Sequence, residues 1–255
     1  RIVEIDPSNR LAVVGAGVVN LDLRTAAAAH GLFYPPDPSS LDWCTIGGNL
    51  ATNAGGLCCG KYGVTADHVL GLQVVLADGE LLRTGRRTVK GVAGYDLTRL
   101  FVGSEGTLGV ITEATVALRP LPMAPGTLMA AFDSTEAAGE AVIGVVQAGV
   151  IPSMMEIMDA VSIRAVEAYL EVGIGAPGCQ ALLLCQSDSG GAVADRELAA
   201  IERVCRAAGA TTVRSTFDAD EGALLLRARR VSLTALEKQG DCLTEDVAVP
   251  RTRIA

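Results

Sequence analysis

The sequence predicts an α+β protein made of two domains, and three observations support this prediction. Residues up to about 120 are glycine-rich, with short strand-like runs between loops. The segment LPMAPG at positions 121–126 has two prolines and a glycine, which is typical of a linker. After it, strand-like runs alternate with helical ones, which predicts helices on one face of a sheet. We therefore expect domains at residues 1–121 and 122–255.

The first domain is predicted to consist mainly of short strands joined by turns. RIVEI and RLAVV are strand-like runs, and the residues at 6–9 between them favour a turn. Asn20 is placed to cap a short helix that ends before Gly31. An alternating run, an Asp-Gly turn at 78–79 and a second run predict a hairpin. GVITEATVALRP then predicts a further strand, which Pro120 ends.

The second domain is predicted to repeat a strand followed by a helix. TLMAAF is a strand-like run before a helix that Ser134 opens and that continues to Gln147. EIM precedes Asp159, which can cap the helical segment IRAVEAYL. ALLLCQ precedes the long helical segment AVADRELAAIERVCRAAG.

Composition and charge exclude several classes of function. The chain has 21 basic and 29 acidic residues, a net charge of −8, whereas nucleic-acid binding needs a basic surface. No apolar run approaches the roughly 18 residues of a membrane-spanning helix. The seven cysteines form an odd and irregular set, which indicates reduced thiols and predicts a cytoplasmic protein. Because the chain starts without Met and directly in a strand-like run, we expect a fragment without a signal peptide.

Two glycine motifs resemble nucleotide-binding signatures but lack essential residues. VVGAGVVN at 13–20 starts like a dinucleotide motif, but Asn20 replaces the third glycine and no acidic residue ends a second strand about 20 positions later. We interpret it as a strand-to-helix turn without a ligand. GGLCCGKY at 55–62 starts like a P-loop, but Tyr62 stands where Ser or Thr must coordinate magnesium, so no ATPase is predicted.

The stretch TIGGNLATNAGG at 45–56 has two glycine pairs and two asparagines but no charged side chain. Main-chain N–H groups in tight turns can bind an anion, and glycine lets a large ligand lie against the main chain. Asparagine offers both a donor and an acceptor to a polar ring. The stretch therefore suits a flavin dinucleotide, although a purely structural glycine-rich loop fits the glycine content equally well.

Five segments in the same order carry a family resemblance. They are FYPPDPSS (33–40), TIGGNLATNAGG (45–56), KYGVTADHVLGLQVVLADG (61–79), VKGVAGYDLTRLFVGSEGTLGVITE (89–113) and EDVAVPRTRI (245–254). Together they resemble the FAD-linked oxidases of the vanillyl-alcohol oxidase and p-cresol methylhydroxylase fold, most closely the branch of glycolate oxidase D subunits and FAD-dependent D-lactate dehydrogenases. The resemblance implies part of an FAD-binding domain at 1–121, and part of a substrate (cap) domain with helices on an antiparallel sheet at 122–255.

The resemblance also implies site residues for FAD and for the substrate. The residues matched to FAD binding are Pro36, Asp37, Thr45, Gly47, Gly48, Asn49, Asn53, Gly55, Gly56, Tyr62, Gly63, Glu105, Gly106, Gly109 and Ile111. Arg229 matches an arginine that holds the substrate carboxylate in relatives, although Leu226 stands where they carry Trp. A bidentate guanidinium suits that task, and the alternative is an arginine on a solvated helix face. Gly91 replaces an asparagine that relatives usually carry.

The implied activity is oxidation of a D-2-hydroxy acid, of the glycolate or D-lactate type, to the 2-oxo acid by hydride transfer to FAD. The alternative is a non-catalytic flavin-fold subunit of an oxidase complex. Expected partners are the small acid substrate, an electron acceptor and other oxidase subunits, with no nucleic acid and no transmembrane segment.

Two functional parts of the family are expected outside this chain. The first phosphate-binding loop should precede residue 1, and the histidine motifs for proton abstraction and metal binding should follow residue 255. The catalytic residue is therefore not assigned here, and no metal ligand is predicted. The 255 residues alone are expected to bind FAD weakly or not at all and to oxidise no 2-hydroxy acid. His30 and His68 are interpreted as structural, and the Cys58-Cys59 pair as loop packing because a disulfide between neighbours is strained.

Overall fold

The chain folds as two units, each with its own sheet, in a computed structural model that describes residues 1–174 and 178–254. The units span Arg1–Leu121 and Pro122–Ala255. Among the described residues, no helix combines the length and apolarity needed to cross a membrane.

The first unit contains a five-stranded antiparallel sheet with the strand order β1-β2-β6-β4-β5. Two short strands, β3 and β7, pair separately. The strands are β1 Ile2–Asp6, β2 Leu11–Gly15, β3 Leu32–Phe33, β4 Val69–Val75, β5 Leu81–Gly85, β6 Val110–Ala117 and β7 Arg119–Pro120. The helices are α1 Asn20–Ala28, α2 Ile46–Thr52, α3 Cys59–Tyr62 and α4 Leu97–Phe101, and a 3-10 helix spans Thr65–His68. The predicted β1–β2 turn and β4–β5 hairpin are confirmed.

The core of the first unit lies between one face of its sheet and helices α1 and α2. Alternate residues of the strands point to this face, because side chains alternate along a strand. The core strand residues include Ala12, Val14, Leu72, Val74, Ala114 and Val116. Leu23 from α1 and Ile46 and Leu50 from α2 pack on them, each fully buried.

The second unit contains a four-stranded antiparallel sheet with the order β11-β8-β10-β9. Its strands are β8 Gly126–Phe132, β9 Met154–Asp159, β10 Ala181–Ser187 and β11 Thr212–Thr216. Its helices are α5 Thr135–Gln147, α6 Ala160–Leu170, α7 Gly191–Ala207, α8 Ala219–Arg230 and α9 Ser232–Glu237, and a 3-10 helix spans Arg251–Arg253. Both predicted caps are confirmed: Ser134 Oγ accepts from Ala137 N at 3.2 Å, and Asp159 Oδ1 accepts from Ser162 N at 2.8 Å.

Helices cover both faces of the second sheet, so the prediction of helices on one face is wrong. Leu183 and Cys185 pack in a core with residues of α5 and α7. On the opposite face, a Cβ built on Gly222 of α8 would lie 3.0 Å from Thr127 Oγ1. The continuous apolar run in β10 was the missed signal, because a strand with only one buried face alternates polar and apolar residues.

The prediction that Asn20 caps a helix is also wrong. Helix α1 begins at Asn20 itself, and the cap position is Val19, which makes no side-chain cap hydrogen bond. The Asn20 side chain is fully buried and makes long-range hydrogen bonds instead. A buried amide needs partners, and here they come from two other segments of the first unit.

Candidate functional site

A cleft with a volume of about 400 Å³ lies on the first unit and is lined by small, uncharged residues. Three chain segments form it: the β2–α1 connection, the start of α2, and the turn that leads into β6. Its lining residues are Ala16, Gly17, Thr45, Gly47, Gly48, Ala51, Gly106, Gly109, Val110 and Ile111. Because none of these side chains ionises, the main chain provides most of the polar groups of this wall.

The start of α2 is built by Thr45 and the two glycines after it. Thr45 has an extended backbone, and its Oγ1 accepts from Gly48 N at 3.1 Å. Gly47 N donates to Ala16 O at 2.7 Å, which holds α2 against the β2–α1 connection. A Cβ on Gly47 would lie 2.7 Å from Ala16 Cβ, so only glycine permits this approach of the two segments.

The third wall is the turn before β6, which is fixed to the end of α2. Gly103 N donates to Leu50 O at 2.8 Å, and Glu105 N donates to Ala51 O at 2.9 Å. Glu105 has a positive φ of 51°, and its side chain is exposed. These hydrogen bonds place Gly106, Gly109 and Ile111 opposite the start of α2.

Six of the residues matched to FAD binding therefore line one cleft: Thr45, Gly47, Gly48, Gly106, Gly109 and Ile111. Ala16 and Gly17 line it too, and sequence reasoning missed them because residues 13–20 fail the spacing of a dinucleotide motif. The interpretation of that segment as a turn without a ligand overlooked its position in the cleft wall. Its position depends on pairing with α2, which no local pattern reveals.

Asp37, Gly55 and Gly56 form a second group, held together by close packing. Asp37 is buried, and its Oδ1 accepts from Cys58 N at 3.1 Å. A Cβ on Gly56 would lie 2.3 Å from Asp37 O, so Gly56 allows the two loops to touch. Gly55 lies against Cys59, with a Cβ position 2.9 Å from Cys59 Sγ.

Three further predicted residues make contacts inside the protein. Asn53 ends α2 in the left-handed conformation, and its Oδ1 accepts from Ala66 N at 2.9 Å. The Tyr62 ring packs edge-on against Phe33, with 5.3 Å between the ring centroids. A Cβ on Gly63 would lie 2.3 Å from Asp67 Oδ2. These contacts shape the loops after α2.

Asn49 belongs to a buried network that holds the proline loop around Pro36. Its Oδ1 accepts from Asn20 Nδ2 at 3.0 Å, and Asn20 Nδ2 also donates to Pro36 O at 3.2 Å. Arg24, one helical turn after Asn20, donates through Nη1 to Tyr34 O at 2.6 Å and to the carbonyls of Pro35 and Pro36 at 3.3 and 3.4 Å. Sequence reasoning assigned no such role to Asn20 or Arg24. The available signal was two polar residues four apart on an alanine-rich helix.

Burial shifts the pKa of two ring side chains in this part of the first unit, His68 and Tyr34. Burial lowers the pKa of His68 from its ordinary 6.5, although its hydrogen bond to Tyr62 O, at 2.8 Å from Nε2, acts in the opposite direction. Burial also raises the pKa of the Tyr34 phenol. His68 therefore has a structural environment, as the sequence predicts: its ring is buried and meets the Tyr34 ring edge-on at 6.2 Å.

The cysteines are all free thiols. Gly56 N lies 2.8 Å from Cys59 Sγ, so Cys59 takes part in the packing of its loop. In the second unit, burial raises the pKa of Cys205 to about 11 and that of Cys185 well above its ordinary value. These two thiols are held protonated in the core of the second unit, which indicates packing rather than redox chemistry.

Arg229 lies near the end of α8 in the second unit and forms an ion pair with Glu156 of β9. Its Nε and Nη2 are both 2.8 Å from Glu156 Oε2. The side chains are 30% and 20% exposed, so Arg229 is not the freely solvated arginine of the alternative interpretation. The cation is held in place by the strand, and its role in substrate binding stays a prediction.

The two units match the two domains of one family of flavoproteins. Residues 1–85 match the family model described as FAD binding domain, and residues 121–255 match the one described as FAD linked oxidases, C-terminal domain. The chain belongs to the FAD-linked oxidases, and the predictions of this family and of FAD as its cofactor are confirmed.

Individual relatives agree with this family. The chain is 44% identical to "Glycolate oxidase subunit GlcD" of Bacillus subtilis over 256 residues, covering 100% of this chain and 54% of the relative. It is 44% identical to "D-lactate dehydrogenase" of Archaeoglobus fulgidus over 164 residues, covering 64% of this chain and 36% of the relative. The chain spans about half the length of the glycolate oxidase subunits it matches.

A solved structure of alkyldihydroxyacetonephosphate synthase has a TM-score of 0.74 and 22% identity to this chain, covering 94% of this chain and 46% of that chain. This likeness shows the fold alone. The predicted α+β fold of the p-cresol methylhydroxylase type is confirmed.

Proposed function

We propose that the protein carrying these 255 residues is an FAD-dependent oxidoreductase that oxidises a D-2-hydroxy acid, of the glycolate or D-lactate type, to the 2-oxo acid. The observation that carries the proposal is the glycine-lined cleft, which brings together two segments predicted to bind FAD, 45–56 and 89–113, and the β2–α1 connection. The names of the relatives, a glycolate oxidase subunit and a D-lactate dehydrogenase, support this substrate class.

The residues of the cleft fit part of a flavin dinucleotide. A neutral wall of glycine and alanine main chain offers N–H groups to a pyrophosphate and leaves room for a flat ring. Arg24 adds a cation behind the neighbouring proline loop. In this proposal, residues 1–121 are the second part of the FAD-binding domain, and residues 122–255 belong to the substrate (cap) domain.

The fifteen matched residues have two tasks in this proposal. Those in the cleft wall contact the cofactor directly. Asp37, Asn49, Asn53 and Gly56 shape the loops that surround it, as their internal hydrogen bonds and packing indicate. We assign Pro36 to the same supporting group, because its carbonyl accepts from Asn20 and Arg24.

FAD, when bound, would supply the acceptor for the hydride, which carries the two electrons away from C2 of the acid. The task of this chain is to hold both reactants. Arg229 is proposed to bind the substrate carboxylate, because a guanidinium and a carboxylate pair through two parallel hydrogen bonds. The proton of the substrate hydroxyl needs an acceptor. Buried His68 is not proposed for this task, because its ring packs on Tyr34 and its Nε2 is hydrogen-bonded to the main chain.

We also propose a cytoplasmic location, with an electron acceptor and other oxidase subunits as partners. The free thiols support a reducing compartment, and the relative named as a subunit supports assembly into a complex.

The test is anaerobic reduction of the flavin in the full-length protein that contains these residues. We expect a yellow protein whose flavin absorbance is bleached by glycolate or D-lactate and much less by L-lactate. A colourless protein that does not take up added FAD would contradict the cofactor assignment. A yellow protein that no 2-hydroxy acid bleaches would instead support a non-catalytic flavin-fold subunit.

A further inference from the structure

The ion pair between Arg229 and Glu156 holds a guanidinium in one orientation. Arg229 is the penultimate residue of α8, and its neighbour Ala228 is buried, so the helix fixes the main chain at this position. The Glu156 carboxylate fixes the other end of the side chain, with Nε and Nη2 both 2.8 Å from Oε2. Glu156 itself stands on β9, with Leu184 of β10 directly opposite.

The ion pair with Glu156 engages only one edge of the Arg229 guanidinium. A guanidinium has five N–H donors, and the contacts with Glu156 engage Nε and Nη2. Within the described ranges 1–174 and 178–254, no hydrogen bond or ion pair engages Nη1. The edge formed by Nη1 and the second hydrogen of Nη2 can therefore donate two parallel hydrogen bonds to a carboxylate, which is the geometry that arginine favours.

This geometry differs from that of an ordinary surface pair. Arg206 and Glu202 form an ion pair four residues apart on α7, with side chains 56% and 37% exposed. Such a pair orders little, because it is exposed to solvent and both residues lie on the same helix. The Arg229 and Glu156 side chains are only 30% and 20% exposed, and the pair joins a helix to a strand. It therefore restricts Arg229 far more than a surface pair would.

We propose that Glu156 is the positioning residue for Arg229: it holds the guanidinium so that its outer edge faces the carboxylate of the 2-hydroxy acid. The inference rests on the proposed function. Its physical basis is preorganisation, since a long side chain that is already ordered loses less freedom when the ligand binds. Losing this order is expected to weaken substrate binding by about tenfold.

The experiment compares steady-state kinetics of the full-length enzyme and its Glu156 variants, with glycolate or D-lactate as the substrate. Glu156→Ala is expected to raise KM about tenfold and to change kcat by less than about twofold, because carboxylate binding is the same in the ground and transition states. Glu156→Gln keeps one oxygen acceptor for Arg229 and should show a smaller increase. Glu202→Gln, which alters the surface pair on α7, is the matched control and should leave KM unchanged.

A second arm tests whether Glu156 acts through Arg229. Arg229→Ala should raise KM more than Glu156→Ala does. Adding Glu156→Ala to Arg229→Ala should then change KM by less than about twofold, because the positioned group is already gone. If the ion pair is merely structural, its loss would instead lower the unfolding temperature and the flavin content. The effect of Glu156→Ala on KM would then not depend on whether Arg229 is present.

The outcomes separate the inference from the proposed function. If the wild-type enzyme oxidises no 2-hydroxy acid, the proposed function fails and the inference fails with it. If the wild-type enzyme is active but Glu156→Ala leaves KM unchanged or lowers it, only the positioning role is overturned. If Glu156→Ala does not fold, the Glu156→Gln variant decides: an unchanged KM overturns the role, and an increased KM at normal flavin content supports it.

Discussion

Replacing Gly47 with alanine tests the contact that joins α2 to the β2–α1 connection. The new Cβ would lie 2.7 Å from Ala16 Cβ and 3.0 Å from Ala16 O. Ordinary contacts start at 3.4 Å, so one of the two segments must move by several tenths of an ångström. Ala16 has little room to move, because its N donates to Thr112 O at 2.9 Å and its O accepts from Gly47 N at 2.7 Å.

This overlap determines how much unfolding free energy Gly47→Ala is expected to lose. Inserting a methyl group into a tightly packed contact costs about 1–3 kcal/mol of unfolding free energy. Alanine regains part of that cost through its better helix propensity, which is worth roughly 0.5–1 kcal/mol over glycine. We therefore expect Gly47→Ala to lower the unfolding free energy by about 1–2 kcal/mol and Tm by roughly 2–8 °C.

The neighbouring glycine provides the matched control. Apart from the backbone of α2, a Cβ on Gly48 would meet only Thr45 Oγ1 within 4 Å, at 3.4 Å. Gly48→Ala should therefore keep or raise the stability of the FAD-free protein. Thermal unfolding followed by circular dichroism measures both variants. Equal Tm values for Gly47→Ala and Gly48→Ala would contradict this prediction, because only the Cβ at position 47 would come closer than 3.4 Å to another segment.

Three further predictions concern the buried network, the buried histidine and the cofactor. Asn20→Ala removes the hydrogen bonds to Pro36 O and Asn49 Oδ1, so within the described part of the chain these acceptors keep only the longer contacts from Arg24 Nη1 at 3.4 Å and Cys44 Sγ at 3.5 Å. The substitution should cost about 1–3 kcal/mol in urea unfolding, and a loss below experimental error would contradict the network. Because burial lowers the pKa of His68 in the folded state, the unfolded state binds more protons below pH 6.5, so stability should fall as pH drops below that value. His68→Gln should flatten this dependence, as urea unfolding at several pH values would show, and an unchanged pH dependence in this variant would contradict the prediction. The 255 residues alone should bind FAD with a Kd above the micromolar range by titration calorimetry, because no charged side chain among the described residues lines the cleft and each charge-assisted phosphate contact is worth about 1.5–3 kcal/mol; submicromolar binding would contradict this.

Local features of the fold were predictable from the sequence. The caps at Ser134 and Asp159 and the hairpin turn at 78–79 depend on a few neighbouring residues, and the structure confirms them. The segments matched to FAD binding could be recognised because they belong to five segments that occur in the order found in a known family, whereas glycine content alone fits a structural loop equally well. Six of those residues meet in one cleft.

Features that depend on distant pairing were not predictable. Asn20 has the residue type of a helix cap, but its partners Pro36 and Asn49 lie 16 and 29 residues away. Gly17 faces the cleft because its segment pairs with the start of α2, although its motif fails the expected spacing. The helices on both faces of the second sheet are a different case, because the continuous apolar run of β10 indicated them and the prediction overlooked it.

The most direct test of the central claim is the FAD affinity of the full-length protein with Gly17 replaced by leucine. A Cβ on Gly17 would meet no atom within 4 Å, and Gly17 lines the cleft, so leucine is expected to add bulk at the cleft wall without a clash at its Cβ. Gly60→Leu is the control, because Gly60 is equally open but lies outside the cleft lining. Flavin fluorescence quenching of the FAD-free protein should show greatly weakened binding for Gly17→Leu and wild-type binding for Gly60→Leu. Wild-type affinity in a folded Gly17→Leu variant would contradict the assignment of this cleft to FAD.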